Sequence, residues 1–198
     1  MCNLYTQKKS VDEVARLFRE LEMPLHFPNG VPNLQPKDIC ITDPAPIVRA
    51  AKGEPGHFDL VVRRWSWPGP SGKPVYNFRS EGREFSAGRC LIVADGFYEF
   101  TTPADPKQKR KDRWLFTSAN EPMVGIAGLV RDVPGIGEAF TMLTTEPGPD
   151  VAPYHQRQVA VLPAAAWRGW LDHSLAAREV LGPLPASTLE VRQQLPTG

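Results

Sequence analysis

Apolar residues recur along this chain with two spacings, and the change from one to the other outlines the fold. Val11, Val14, Leu17, Phe18 and Leu21 lie three or four apart, the repeat that lays one apolar stripe along a helix. Ser10 and Glu13 frame the start of that run as a capping box, and Pro24 ends it. From Pro24 to Asp43 the chain is rich in proline and asparagine and reads as loop. Short runs of branched and aromatic residues then predict strands at 46–48, 59–65, 114–117, 123–129, 139–144 and 158–162. The run 89–100 has the same character but is interrupted at Asp95-Gly96, read as a tight turn or a bulge. Residues 69–74 are a turn cluster, where Asn77 just beyond serves a turn as readily as any chemistry. Helical spacing returns at 164–171, with Trp167 and Leu171 on one face, and again at 175–180. The expected fold is α+β. It is one domain over 1–198, built mostly of short antiparallel strands in a barrel-like or sandwiched sheet with two or three flanking helices.

Composition narrows the setting. The 21 prolines and 16 glycines are spread along all 198 residues, which suits many short elements rather than long helices. No secretory signal and no membrane-length apolar stretch is read, so the expected location is the cytoplasm. Cys2, Cys40 and Cys90 are widely spaced without a Cys-x-x-Cys pair, which argues against a disulfide framework or a structural zinc site. Cys90, inside Arg89-Cys90-Leu91-Ile92-Val93, reads as a buried thiol. Net charge is only +1, yet Arg63, Arg64, Lys73, Arg79, Arg83 and Arg89 crowd one stretch. That crowding is either a local phosphate-binding groove or a set of solvated charges. The dense run 107–111 reads as a solvated hairpin loop.

Four residues invite a chemical reading. Cys2 follows Met1, and a small second residue allows the initiator methionine to be removed. Cys2 would then carry an α-amine and a thiol on adjacent carbons, with ordinary pKa values of about 7.7–8.0 and about 8.5. Glu99 closes Gly96-Phe97-Tyr98-Glu99-Phe100 among aromatic neighbours. Apolar surroundings would raise its pKa toward neutrality, whereas strand alternation would turn it to solvent. His155 follows Val151-Ala152-Pro153-Tyr154, a setting His26, His57 and His173 lack. Asn77 opens Asn77-Phe78-Arg79.

The order of the pieces says more than any one of them. Met1-Cys2, Trp65-Ser66-Trp67-Pro68, Asn77-Phe78-Arg79-Ser80-Glu81 and the run from Arg89 through Gly96-Phe97-Tyr98-Glu99-Phe100 come first. Ala127-Gly128-Leu129, Met142-Leu143-Thr144-Thr145-Glu146 and Val151-Ala152-Pro153-Tyr154-His155 follow. In that order the chain resembles the SOS response-associated peptidase family, from Cys2 to about Leu171. The resemblance implies a protein that processes abasic sites by covalent crosslinking to single-stranded DNA. Cys2 would condense with the ring-opened sugar aldehyde to a thiazolidine, after Met1 is removed by the protein itself or by an aminopeptidase. Glu99 and His155 would share the acid–base work, and Asn77 would hydrogen-bond the sugar or the reacting centre. Arg79 would bind backbone phosphate, with Trp67 and Phe100 as apolar faces for a base or sugar. No metal or organic cofactor is implied.

The chain departs from the family pattern in three places. Asn3-Leu4 stands where many members have Gly-Arg, Gln156-Arg157-Gln158-Val159 where Asp/Asn-Arg-Met-Pro is usual, and Phe100 where tryptophan is common. Other chemistries also fit the residue types. Cys2 could serve an N-terminal-nucleophile amidohydrolase, with its amine as base. Cys2, His155 and Asn77 could form a thiol peptidase triad. The tryptophans and arginines alone would suffice for a non-catalytic single-strand binding module.

Overall fold

Ser10 caps the first helix as its spacing predicts: its side chain accepts from the Glu13 N–H, and the Glu13 carboxylate accepts from the Ser10 N–H. The structure, a computed structural model, describes residues 2–194. The elements in the first half are β1 (Leu4–Gln7), α1 (Val11–Glu20), β2 (Leu25–His26), β3 (Lys37–Cys40), β4 (Pro44–Ala50), β5 (Phe58–Trp65), β6 (Trp67–Pro68), β7 (Pro74–Val75) and β8 (Asn77–Arg79). There follow β9 (Arg89–Ala94), β10 (Gly96–Thr101), β11 (Asp112–Ser118), β12 (Val124–Val133), β13 (Gly137–Thr145), β14 (Gln158–Val159) and β15 (Val161–Leu162). After a 3-10 turn at Ala164–Ala166 come α2 (Trp167–Leu171), α3 (Ala177–Val180) and β16 (Leu189–Gln194). The α+β expectation holds.

Two sheets carry the architecture. The smaller, in order β16-β11-β10-β1-β3, is antiparallel throughout. The larger runs β14-β13-β12-β9-β4-β5-β2. Parallel pairing of β13 with β5, Ala139 against Arg64, closes five of its strands into a circuit, the expected barrel-like form. Asp95 is neither a hairpin turn nor a bulge but the point where the chain leaves the larger sheet for the smaller. Its N–H donates to the Thr6 carbonyl, and its carboxylate accepts from the N–H groups of Lys8 and Lys9 and pairs with the Lys9 ammonium. Gly96 is required beside it, because a Cβ there would sit 2.5 Å from the Phe116 carbonyl oxygen.

β9 explains why the run after Arg89 is apolar without alternation. Cys90, Ile92 and Ala94 face one buried cluster with Tyr5, Trp65, Phe97 and Phe140, while Leu91 and Val93 face another under Phe18, Trp167 and Trp170. Cys90 is buried as expected, and burial pushes its thiol pKa well up. The indole N–H of Trp170 donates to the Cys90 carbonyl, tying α2 to this central strand.

Several local readings need correction. The stretch read as loop after Pro24 contains β2 and β3. In β3 only Ile39 is buried, so the strand exists because β1 pairs with it, not because of its own apolar content. Asn77 lies in β8, paired in parallel with β13, and not in a turn. The strand expected at 158–162 splits at Ala160, whose N–H donates to Leu143 while its carbonyl accepts from Ala127, so β14 and β15 serve different neighbours. The helix expected from 175 begins at Ala177. The basic run 107–111 does lie in the loop between β10 and β11.

Candidate active site around Cys2

Cys2 lies two residues before the start of β1, which is held on both edges: Tyr5 opposes Phe97 of β10 on one side and Ile39 of β3 on the other. The cysteine is 1% exposed, and its thiol donates to the Leu4 carbonyl at 3.2 Å. Burial, and secondarily the Glu99 carboxylate, push the thiol pKa up to about 12, with backbone hydrogen bonding at Leu4 and Tyr98 only partly offsetting them. The thiol therefore rests as SH, not as thiolate.

Asn77 reaches Cys2 from the other sheet. Its position opposite Met142 of β13 fixes the strand, and its Nδ2 donates to the Cys2 carbonyl at 2.7 Å. Its Oδ1 is a buried acceptor with no hydrogen-bond donor among the described residues. Glu99 lies on β10 opposite Trp114 of β11, and it faces inward rather than to solvent, at 2% exposed. Burial pushes its carboxyl pKa up to about 7. A carboxyl group tuned to neutrality gives and takes protons where an ordinary one stays ionised.

His155 belongs to the loop between β13 and β14. Its Nδ1 lies 3.0 Å from both the N–H and the carbonyl oxygen of Arg157, so the backbone of its own loop holds the ring. Burial lowers its pKa. Tyr154, the preceding residue, sets its ring 4.7 Å from that of Trp114 at a 55° tilt, so the histidine loop is packed against the register partner of Glu99.

The other sequence candidates surround this group unequally. Arg79 is exposed at the end of β8, two residues beyond Asn77 and so on the same side of the strand. Trp67 is 5% exposed, with the Arg131 guanidinium 4.1 Å over its ring. It follows Ser66, which takes the left-handed conformation (φ 83°) and ends β5 by donating its N–H to Phe140. Phe100, adjacent to Glu99 in the strand, projects from the opposite face of the sheet and is paired with Arg113. Cys2, Asn77 and Glu99 are thus brought together, His155 is attached through Tyr154 and Trp114, and Phe100 is kept apart.

Sequence reasoning missed Arg157, Tyr154, Trp114 and Arg131. Arg157 binds the Thr144 carbonyl and hydroxyl and pairs with Glu81, lowering the pKa of that carboxyl. Its place two residues after His155 was the available signal. A 420 Å³ pocket lies beyond this ion pair, lined by Ser80, Arg83, Glu84, Thr145, Arg178 and Leu181, and includes neither Cys2 nor Glu99. Among the described residues no three His, Cys, Asp or Glu side chains are grouped to hold a metal, and no helix is long and apolar enough to cross a membrane.

The family model for SOS response associated peptidases (SRAP) matches residues 1–194. The chain belongs to the SRAP family. Solved structures agree on the fold. A protein from Bordetella bronchiseptica is 23% identical with a TM-score of 0.72, the match covering 98% of this chain and 100% of that one. One from Bacteroides thetaiotaomicron is 15% identical with a TM-score of 0.70, covering 97% and 91%. A phage-related protein, also from Bordetella bronchiseptica, is 18% identical with a TM-score of 0.70, covering 98% and 94%. No curated protein matches. SRAP membership associates the chain with the SOS response to DNA damage.

Proposed function

We propose that this SRAP protein traps abasic sites in single-stranded DNA as a covalent adduct of Cys2. One observation carries the reading: Glu99, buried and with a pKa pushed up to about 7, acts electrostatically on a cysteine whose carbonyl Asn77 holds. The arrangement offers a proton exchanger active at neutral pH beside a residue able to present two nucleophiles.

The chemistry follows from the groups. An abasic sugar must open from its hemiacetal, which needs a proton delivered to the ring oxygen and another taken from the C1 hydroxyl. Glu99 and His155 divide that work, and the buried Asn77 Oδ1, without a donor among the described residues, supports a hydrogen bond from a sugar hydroxyl. Met1 lies outside the described residues; its removal, by the protein or by an aminopeptidase, frees the Cys2 amine. The amine adds to the C1 aldehyde, and the resulting carbinolamine takes up a proton and expels water to give an iminium. The thiol then adds to the same carbon and releases its proton, closing a thiazolidine. One aldehyde and one aminothiol give one ring and one water. Closure within a single residue gains from effective molarities of about 10⁵ M or more.

The thiol's high pKa favours this order of events. A sulfur kept protonated and bonded to the Leu4 carbonyl is a poor first nucleophile, so the amine leads. The same fact weighs against an amidohydrolase or thiol peptidase, both of which begin with attack by sulfur. Arg79 beside Asn77 supports phosphate contact, and the Trp67 and Arg131 pair supports an apolar, cationic seat for the strand. A strand that also met Phe100 would pass around the sheet to its other face.

The test is intact-mass spectrometry after mixing with a single-stranded oligonucleotide bearing one abasic site. Wild-type protein is expected to lose methionine and gain the mass of the damaged strand less one water, while C2A gains nothing. Equal retention of DNA by both proteins after denaturing electrophoresis would overturn the reading.

A further inference from the structure

The loop that carries His155 springs from the larger sheet, whereas Glu99 stands on the smaller one. Within the loop, Val151 accepts from the N–H groups of Tyr154 and His155 at 2.8 and 3.0 Å, so these two residues move as one turn. Two contacts cross from this turn to the other sheet. Asp150 accepts from the N–H groups of Ser187, Thr188 and Leu189 at the entry to β16. The ring of Tyr154 lies 4.7 Å from Trp114 and 5.4 Å from Phe116. Trp114 is a fixed wall, since its indole N–H donates to Thr101 Oγ1 at 2.8 Å and its backbone pairs with Glu99 itself.

We propose that Tyr154, braced against Trp114, is the positioning residue that sets His155 relative to Glu99 for the acid–base steps. The inference rests on the crosslinking reading above but is separable from it. The Tyr154 and Trp114 contact links the turn directly to the residue opposite Glu99, whereas Asp150 holds the loop farther along, at β16. The Tyr154 hydroxyl makes no hydrogen bond among the described residues, so the work belongs to the ring, and phenylalanine should do it equally well. Misplacement of a catalytic group by about 1 Å can cost on the order of 10²-fold in rate.

The experiment uses Y154F, Y154A, H155A and the Y154A/H155A double variant of the full chain, with two readouts. The first is the NMR titration of the His155 ring, whose charged neighbours include the α-ammonium at the start of the chain, Lys111 on the approach to β11 and Arg157 in its own loop. The second is the single-turnover rate of adduct formation with an abasic single-stranded oligonucleotide. Y154F is expected to match wild type in both. Y154A is expected to move the His155 titration upward, toward an ordinary imidazole, and to slow adduct formation tenfold or more. The double variant is expected to be no slower than H155A alone, because the tyrosine acts through the histidine. An unchanged titration in Y154A, a Y154F as slow as Y154A, or a double variant slowed by the product of the two single effects would each overturn the proposal. A shifted titration together with no adduct from wild type would leave the positioning intact and sink the crosslinking reading instead. If Y154A does not fold, Trp114→Phe thins the same contact from the other side and is read in the same way.

Discussion

The side-chain amide of Asn77 donates to the carbonyl oxygen of Cys2 at 2.7 Å, joining residues 75 apart in the sequence and tying a strand of the larger sheet to the segment that leads into the smaller one. The bond holds the cysteine backbone from the larger sheet, while β1 is paired with β10, the strand that carries Glu99. The position of Cys2 is therefore set by two sheets at once, and a loss on either side should be felt in the proposed chemistry.

Asn77→Ala tests one side. It leaves the Cys2 carbonyl without its donor, a loss of about 1–3 kcal/mol for a buried hydrogen bond. Single-turnover adduct formation is expected to fall by about 10- to 100-fold, and thermal melting to drop modestly. A full melting loss with an unchanged rate would show that the bond stabilises the fold and does nothing for the reaction.

Glu99→Gln tests the other side, and here stability and activity should move in opposite directions. The folded-state pKa of Glu99 is raised to about 7, so between the unfolded value of about 4.3 and 7 the native state holds more protons than the unfolded one. Its contribution to stability is present at low pH, is lost as pH rises through that window, and is level above it. Glutamine removes the buried charge. E99Q is expected to be more stable than wild type at pH 8.5, by roughly 3–4 kcal/mol, with the gap closing below about pH 4.5. Adduct formation should be slower by about 10²-fold or more. Thermal melts across pH 4–9 beside single-turnover rates decide it; a gap independent of pH would remove the claim that Glu99 is strained by burial.

The parts of this site that were legible in the sequence are those whose cause is local. The capping box at Ser10 and Glu13 and the apolar runs of β5, β9, β12 and β13 announce themselves because their own residues are buried. β1, β8 and β16 do not, since half their side chains are polar or exposed and pairing with neighbours makes them strands. Glu99 could be suspected from its aromatic neighbours, but which way it points is decided by the register with Trp114 and Phe116. The same alternation places Phe100 on the far face, a consequence available from the sequence once 96–101 is taken as one strand. Tyr154 carries no local signal, because its partner is forty residues earlier and in the other sheet.

Arg79 offers a prediction about DNA rather than chemistry. It is exposed and forms no ion pair among the described residues, unlike Arg157, which Glu81 and Thr144 hold in place. Arg79→Ala is expected to weaken binding to single-stranded DNA and to lower the slope of log affinity against log salt by about 0.7, the value for one phosphate contact on a single strand. Melting temperature should stay close to wild type. An unchanged salt slope would take Arg79 out of the phosphate path.

The seam that closes the barrel carries its own test. Glu138 of β13 accepts from Arg49 Nη1 at 2.5 Å, Arg63 Nε at 2.6 Å and Lys52 Nζ at 3.1 Å, so one carboxylate gathers cations from β4, β5 and the turn between them. Burial works against its charged form, but the hydrogen bonds from Arg63, Arg49 and Lys52 outweigh it and hold the pKa down at about 2. A depressed carboxyl pKa contributes stability above the unfolded value of about 4.3, and that contribution fades as pH falls toward 2. Glu138→Ala also takes the shared carboxylate from Arg49 and Arg63, leaving Arg49 with the more distant Asp59, and is expected to cost about 3 kcal/mol near neutral pH. In urea unfolding, the difference from wild type should narrow below about pH 4 and be nearly gone near pH 2. A difference that persists unchanged at low pH would assign the loss to packing of β13 on β5, with no part for the charges.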